Sequence, residues 1–192
     1  LATSFVMPLT VLRLASEKHY GQHDLMLAAG LRPPVYWIGA YISGMLAHGA
    51  IFALYLGVGA AAGIATVLNT SAGVWIAIAF TWSHALCGIA FTFAGALGAA
   101  PRLATVLAYF FVIGTLFVVL IMGQLGLDQV EEQPSLLAAP PVAYAVLCSN
   151  VLRFGGSAAS IGPRTLSGKA LGALFGVGTL LLLCGTWLHG AL

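Results

Sequence analysis

Few side chains in this 192-residue chain can do acid–base, metal or nucleophilic chemistry: five histidines, three cysteines and five acids. Tyr41, His48 and Tyr55 recur every seven residues, which places them on one stripe of a helix, and His84 stands on the next apolar block with Thr81 and Ser83. Ionisable groups at membrane depth face a bundle interior and find partners. Two readings follow: His48 and His84 line a substrate-facing seam or pair across helices, or both are neutral imidazoles bonded to nearby hydroxyls or backbone. A membrane enzyme or channel built on His48, His84 and His189 needs clustered ligands, and these histidines are single and far apart. Cys87, Cys148 and Cys184 lack paired ligand spacing, so neither a zinc site nor a disulfide framework is indicated. Glu131 and Glu132 are adjacent, with no base or metal ligand nearby in sequence, and read as a solvated charge patch. No catalytic residue and no metal site are expected in this chain.

The elements that must position these groups follow from composition. With 60% hydrophobic and 6% charged residues, the chain has too little polar surface to dissolve in water. Its apolar runs are continuous over roughly 20 residues, whereas a membrane β-barrel alternates apolar and polar within strands of about 10. The expected class is an all-α, multi-pass integral membrane protein, with no feature pointing to nucleic acid. The blocks run 1–14, 35–68, 72–100, 103–122 and 169–189. The first, at 1.5 Å rise per residue, covers about 21 Å of a roughly 30 Å hydrocarbon core and reads as the end of a truncated membrane helix. Gly59–Gly63 and Gly172–Gly176 are small-x-x-x-small pairs expected to let helices approach closely. Asn69-Thr70-Ser71 matches the glycosylation pattern, in a loop short enough to be inaccessible.

From Gln124 to Arg164 the pattern changes: Asp128, Glu131 and Glu132 precede an apolar patch, 136–152, that contains Pro140 and Pro141. Two missing backbone donors disfavour a straight span, so a re-entrant hairpin is expected, the alternative being a kinked sixth span. Arg13, Lys18, Arg32 and Arg102 fall on one side if the 16–34 loop is cytoplasmic, which also puts the chain's end inside when 136–152 does not cross.

Charge concentrates in Ser16 to Trp37, SEKHYGQHDLMLAAGLRPPVYW. Ser16 stands where an N-cap would, good helix formers follow, and Gly30 with Pro33 and Pro34 forms a stop, which predicts a surface helix over 16–30. Its outer face is expected to show Glu17, Lys18, Gln22, His23 and Asp24. It is either an amphipathic connector or a docking helix that receives force from a soluble partner.

This stretch resembles the region after the second membrane helix in ABC-2-type exporters of the A subfamily, the lipid-exporting group. The matching residues are Glu17 and Lys18, Gly30 and Leu31, and Tyr36 and Trp37; weaker echoes are GAAPRLATVLAYFF, before the fifth helix, and LAAPPVAYAVL, at an outer hairpin. His19, Gly21 and His23 depart from the pattern. The resemblance implies an ABC-2, type V exporter-like bundle with a coupling helix and a re-entrant hairpin, present from its second helix onward. It implies that Glu17, Lys18, His23 and Asp24 couple to a nucleotide-binding domain, on the same polypeptide or a separate one, where ATP and Mg bind. A second transmembrane half and membrane lipids are the other implied partners, and Tyr41, His48, Tyr55 and His84 the implied substrate-facing residues. The chain has no G-x-x-x-x-G-K-[ST], and Gly168–Lys169 lacks the required context. The alternative is a smaller ABC-2 permease with a separate ATPase subunit and a non-lipid substrate.

Overall fold

The computed structural model describes residues 2–125, 134–154 and 165–191, and every regular element among them is helical. A 3-10 turn, Ala2–Phe5, leads into α1 (Val6–His19), α2 (Gln22–Ala28), α3 (Pro33–Ala61), α4 (Ala65–Asn69), α5 (Ala72–Leu97) and α6 (Pro101–Leu125). A second 3-10 turn, Pro134–Ala138, precedes α7 (Pro140–Phe154) and α8 (Leu166–Ala191). Among the described residues four helices are long and apolar enough to cross a membrane: α3, α5, Pro101–Met122 of α6 and Leu166–His189 of α8. The chain is a helical membrane protein.

Several boundaries differ from those the sequence suggested. There is no single helix over 16–30, because nothing between Leu9 and Lys18 interrupts the backbone ladder; α1 runs through Ser16, Glu17 and Lys18 and stops only before Gly21, whose φ is +67°. Ser16 is thus interior, and Gly21, not a serine, precedes α2. The resulting elbow is α1, a glycine hinge and α2. The expected stop at Gly30 is present: Leu31 N–H donates to the Met26 carbonyl and Gly30 N–H to that of Leu27, a Schellman ending. The 35–68 block is also split. Gly63, at φ +70°, closes α3 with the same pair of bonds, and the chain folds back as the short α4.

Pro140 and Pro141 begin α7 and do not interrupt it. In a first turn the missing N–H groups have no intrahelical partner to lose, so both prolines are at ease there. Within 140–154 the chain does not reverse direction. Asp128, Glu131, Glu132 and Arg164 lie outside the described residues.

The core is organised around α5, where Trp82 to Phe91 are buried without interruption. Met7, Val11 and Leu14 of α1 are spaced to form one buried face, and Ala104, Ala108, Val112 and Thr115 form the corresponding stripe on α6. Trp82 donates its indole N–H to Ser4 Oγ at 3.2 Å and stacks on Tyr144 of α7, with ring centroids 4.1 Å apart. The tightest pair is α5 with α8. A Cβ added to Gly88 would stand 2.4 Å from the Gly178 carbonyl oxygen, and one on Gly95 would stand 2.6 Å from that of Gly185. The offset of 90 is constant, so the two helices run parallel. The small-residue pairs expected at 59/63 and 172/176 do not make this contact: Gly63 is a turn, Gly59 meets Val67 of the adjoining α4, and nothing lies within 4 Å of a Cβ at Gly172 or Gly176. Spacing by seven returns a residue to the same seam between near-parallel helices, and this seam uses that spacing.

Parallel α5 and α8 fix the ends of the bundle. The Lys18 side chain packs on Gly98, just after α5, and reaches His189 at the end of α8. The elbow, the start of α3 and the ends of α5 and α8 therefore share one side. Helix α6 leaves that side and α8 returns to it.

Candidate functional site

The elbow carries the densest polar contacts among the described residues. Glu17 projects from the last turn of α1 and accepts from Tyr36 Oη at 2.6 Å and from Arg13 Nε at 2.9 Å. Arg13 in turn donates to Ser43 Oγ at 2.8 Å. Both Tyr36 and Ser43 belong to α3, so one carboxylate and one guanidinium fasten α1 to the first three turns of a membrane span. Lys18, one residue on, points another way and donates to the His189 carbonyl oxygen at 3.1 Å, which ties the elbow to α8. Partial burial pulls the Lys18 ammonium below its ordinary pKa, and the Asp24 carboxylate opposes that shift.

Across the glycine hinge, His23 of α2 enters an aromatic cluster. Its ring centroid lies 4.7 Å from Tyr36, 5.9 Å from Trp37 and 5.0 Å from His189. Trp37 completes the cluster, 4.7 Å from His189 and 5.3 Å from Phe91 of α5. The elbow thus touches the start of α3 and, through Trp37 and His189, the ends of α5 and α8.

The outward face expected of this segment is only partly there. Glu17, Lys18 and His23 turn toward the bundle, because each finds a hydrogen-bonding or aromatic partner on a span; Asp24 stays 84% exposed, joined by Gln22, Tyr20 and Leu25. Sequence reading missed Arg13, Ser43 and the structural use of Tyr36. Glu17 and Tyr36 are 19 residues apart across two glycine bends, a relation no periodicity displays.

The second polar constellation lies inside the bundle. Tyr41 Oη is 2.8 Å from His84 Nδ1, and His84 Nε2 is 3.0 Å from Thr179 Oγ1. Thr179 spends its own hydroxyl hydrogen on the Phe175 carbonyl at 2.9 Å, so it accepts from His84 Nε2–H, which leaves Nδ1 to accept from Tyr41. One neutral imidazole therefore joins α3, α5 and α8, with the Phe175 ring stacked on it at 4.8 Å. His48, fully buried, bonds through Nδ1 to the Gly44 carbonyl of its own helix at 2.8 Å; its Nε2 has no partner.

His48 and His84 are thus not paired. Tyr41, which meets His84, is seven residues before His48, about 10 Å along α3. His189 is ten residues beyond Thr179, about 15 Å along α8. Tyr55, half-exposed, lies beside Phe52, with centroids 6.4 Å apart. Of the four residues expected on a seam, the structure brings Tyr41 and His84 together and leaves His48 and Tyr55 apart. Among the described residues no three His, Cys, Asp or Glu side chains come together in a group that could hold a metal ion.

Over 112 residues, 58% of its length, the chain is 30% identical to ABC transporter A family member 9 of Dictyostelium discoideum. The chain spans 13% of the length of that relative. No protein-family model matches it, and no solved structure does.

Proposed function

We propose that this chain is part of the membrane domain of an ATP-driven ABC transporter of the A type, with ABC-2 architecture, that moves a lipid or other amphiphile between leaflets. ATP and Mg bind in a nucleotide-binding domain on the same or another polypeptide, and a second transmembrane half completes the path. The similarity to an A-family transporter supports the family. The observation that carries the mechanism is the clamped elbow: a soluble partner meeting Asp24, Tyr20 and Leu25 displaces the elbow, whose α1 end is hydrogen-bonded to α3 and α8.

Two fastenings have distinct chemistry. Glu17 holds α3 through Tyr36 and Arg13, and Lys18 holds α8 through a backbone carbonyl. A hydrogen bond to a charged group contributes about 1.5–3 kcal/mol net, enough to supply the coupling free energy of roughly 1–3 kcal/mol that links two sites. Motion of α2 is then passed on as tilt of α3 and α8, and the α5–α8 seam carries α5 with them.

The test uses the full transporter in proteoliposomes. Tyr36→Phe deletes one hydroxyl and keeps the ring that packs on His23 and Trp37. The expected result is a lower number of lipid molecules moved per ATP hydrolysed, with expression and basal ATPase retained, and a similar loss in Glu17→Gln. An unchanged ratio in both variants refutes the elbow as the transmission element.

A further inference from the structure

On the side of the bundle away from the elbow, the start of α8 and the turn Pro134–Ala138 form a groove of about 510 Å3 that none of the contacts above fills. Ser135 and Leu137 of the turn and Lys169, Ala173, Gly176 and Leu180 of α8 line it. At 3.6 residues per turn these α8 residues stand opposite Gly178 and Gly185, so the groove opens away from the α5–α8 seam. A Cβ on Gly176 would meet nothing within 4 Å. Gly176 thus takes no part in helix packing and, with Ala173, keeps the floor of the groove low.

Two polar groups line an otherwise apolar channel. Lys169 and Ser135 are both exposed, and among the described residues neither the ammonium nor the hydroxyl has a hydrogen-bond or ion-pair partner. A cation in an apolar span is costly unless it meets water or an anion. From the fourth residue of α8, the Lys169 stem carries its ammonium toward the headgroups. From Lys169 to Leu180 the groove follows α8 for eleven residues, about 16 Å, close to half of a roughly 30 Å hydrocarbon core. The groove is therefore one leaflet deep, with a free cation at its interfacial end and apolar walls below. A soluble anion satisfies the ammonium and leaves the groove empty; a neutral apolar molecule does the reverse. A phospholipid supplies a phosphate and a chain in the right order. A zwitterionic headgroup brings an ammonium that competes with Lys169 for the phosphate, and a net-anionic one does not.

We propose that this groove is a site for one anionic phospholipid of the leaflet at the start of α8: its phosphate meets the Lys169 ammonium, with the Ser135 hydroxyl as a second donor, and one acyl chain lies along Ala173, Gly176 and Leu180. The site rests on the membrane spans alone and stands whether or not the elbow couples to an ATPase.

The test places the full-length protein in phosphatidylcholine nanodiscs doped with one of two photolabels that share a mid-chain diazirine and differ in headgroup, a phosphatidylglycerol or a phosphatidylcholine. On the unaltered protein the phosphatidylglycerol label is expected to attach to residues 176–180 about 5-fold more than the phosphatidylcholine label, equivalent to about 1 kcal/mol for one lysine at the headgroups. The two are expected to attach equally to Phe110 and Phe117, which are exposed on α6. Lys169→Gln is expected to remove the preference and Lys169→Arg to keep it. Gly176→Leu fills the groove from a position with open space around it, and is expected to abolish groove labelling by both probes while α6 labelling persists. Any of three results overturns the site: equal labelling of 176–180 by the two probes on the unaltered protein, a preference that survives Lys169→Gln, or groove labelling indifferent to Gly176→Leu.

Discussion

The parallel α5–α8 seam makes the sharpest stability prediction, because the atom that blocks a side chain there belongs to backbone. In Gly88→Ala the new Cβ would stand 2.4 Å from the Gly178 carbonyl oxygen, 3.2 Å from its carbonyl carbon and 3.2 Å from Leu181 Cβ. No rotamer relieves the first of these. To restore ordinary contact the helices must part by about 1 Å, and a gap of that size forfeits a quarter to a half of each dispersion well along the seam. Overpacking of this kind costs typically 1–3 kcal/mol, and with a rigid obstacle the upper part of that range, about 2–3 kcal/mol, is expected. That is a shift of roughly 30- to 150-fold in the unfolding equilibrium. Gly172→Ala and Gly176→Ala are the controls: they lie on α8, the other helix of the seam, with open space around them, and alanine's helix preference makes them neutral or stabilising by up to about 1 kcal/mol. Gly88→Ala combined with Gly95→Ala should cost less than the sum, since one displacement relieves both clashes. Denaturant-induced unfolding in mixed detergent micelles measures the series. Equal stability of Gly88→Ala and Gly176→Ala would refute the seam.

The intramembrane node should behave as a structural tie: His84→Leu and Tyr41→Phe are each expected to destabilise by about 0.6–1.7 kcal/mol, the range for polar contacts between membrane helices, while the lipid movement proposed above is retained. Lost transport at unchanged stability and expression would instead make His84 part of the path. For Lys18, the Asp24 carboxylate holds up a pKa that burial lowers. Asp24→Asn removes the supporting charge and should lower that pKa further, so more amine is neutral near pH 8 and reductive methylation of Lys18 speeds up; an unchanged or slower rate would refute the interaction.

What the sequence displayed clearly was class and count. Continuous apolar runs announced helices, and the breaks between them placed α5, α6 and α8 to within a few residues. Gly30 was legible as a stop because prolines followed it. Gly63 was not, because the residues around it are as apolar as the span before it, and only backbone geometry distinguishes a turn in hydrocarbon-like sequence from a continuing helix. Gly21 falls inside the one helix expected over 16–30, and it is the hinge between two. The Tyr41–His84 contact drew on residues already singled out, but their partner Thr179 lies 95 residues from His84, a separation that no local pattern bridges. The elbow was located by its charge and misread in its facing: Glu17, Lys18 and His23 look like a solvated face until Tyr36, Trp37 and His189 are brought beside them.

The deeper reason that burial was not legible is the solvent. In water the most apolar helix is the most buried, because apolar surface is what leaves the solvent. Here α6 is the most apolar of the four spans, yet 17% of its apolar stretch is buried, against 67% for the less apolar α5. Hydrocarbon surroundings remove the penalty for exposed Leu, Ile and Phe, so hydropathy marks what may face lipid and says nothing of what must face protein. The residues that mark the interior are the ones a hydropathy profile discounts: Gly88, Gly95, Gly178 and Gly185, which admit backbone, and Thr92, whose hydroxyl lies 2.8 Å from the Leu181 carbonyl across the seam. For a span such as α5 the informative pattern is therefore small and hydroxyl residues repeating at the helical period, and these residues placed its partner where hydropathy could not.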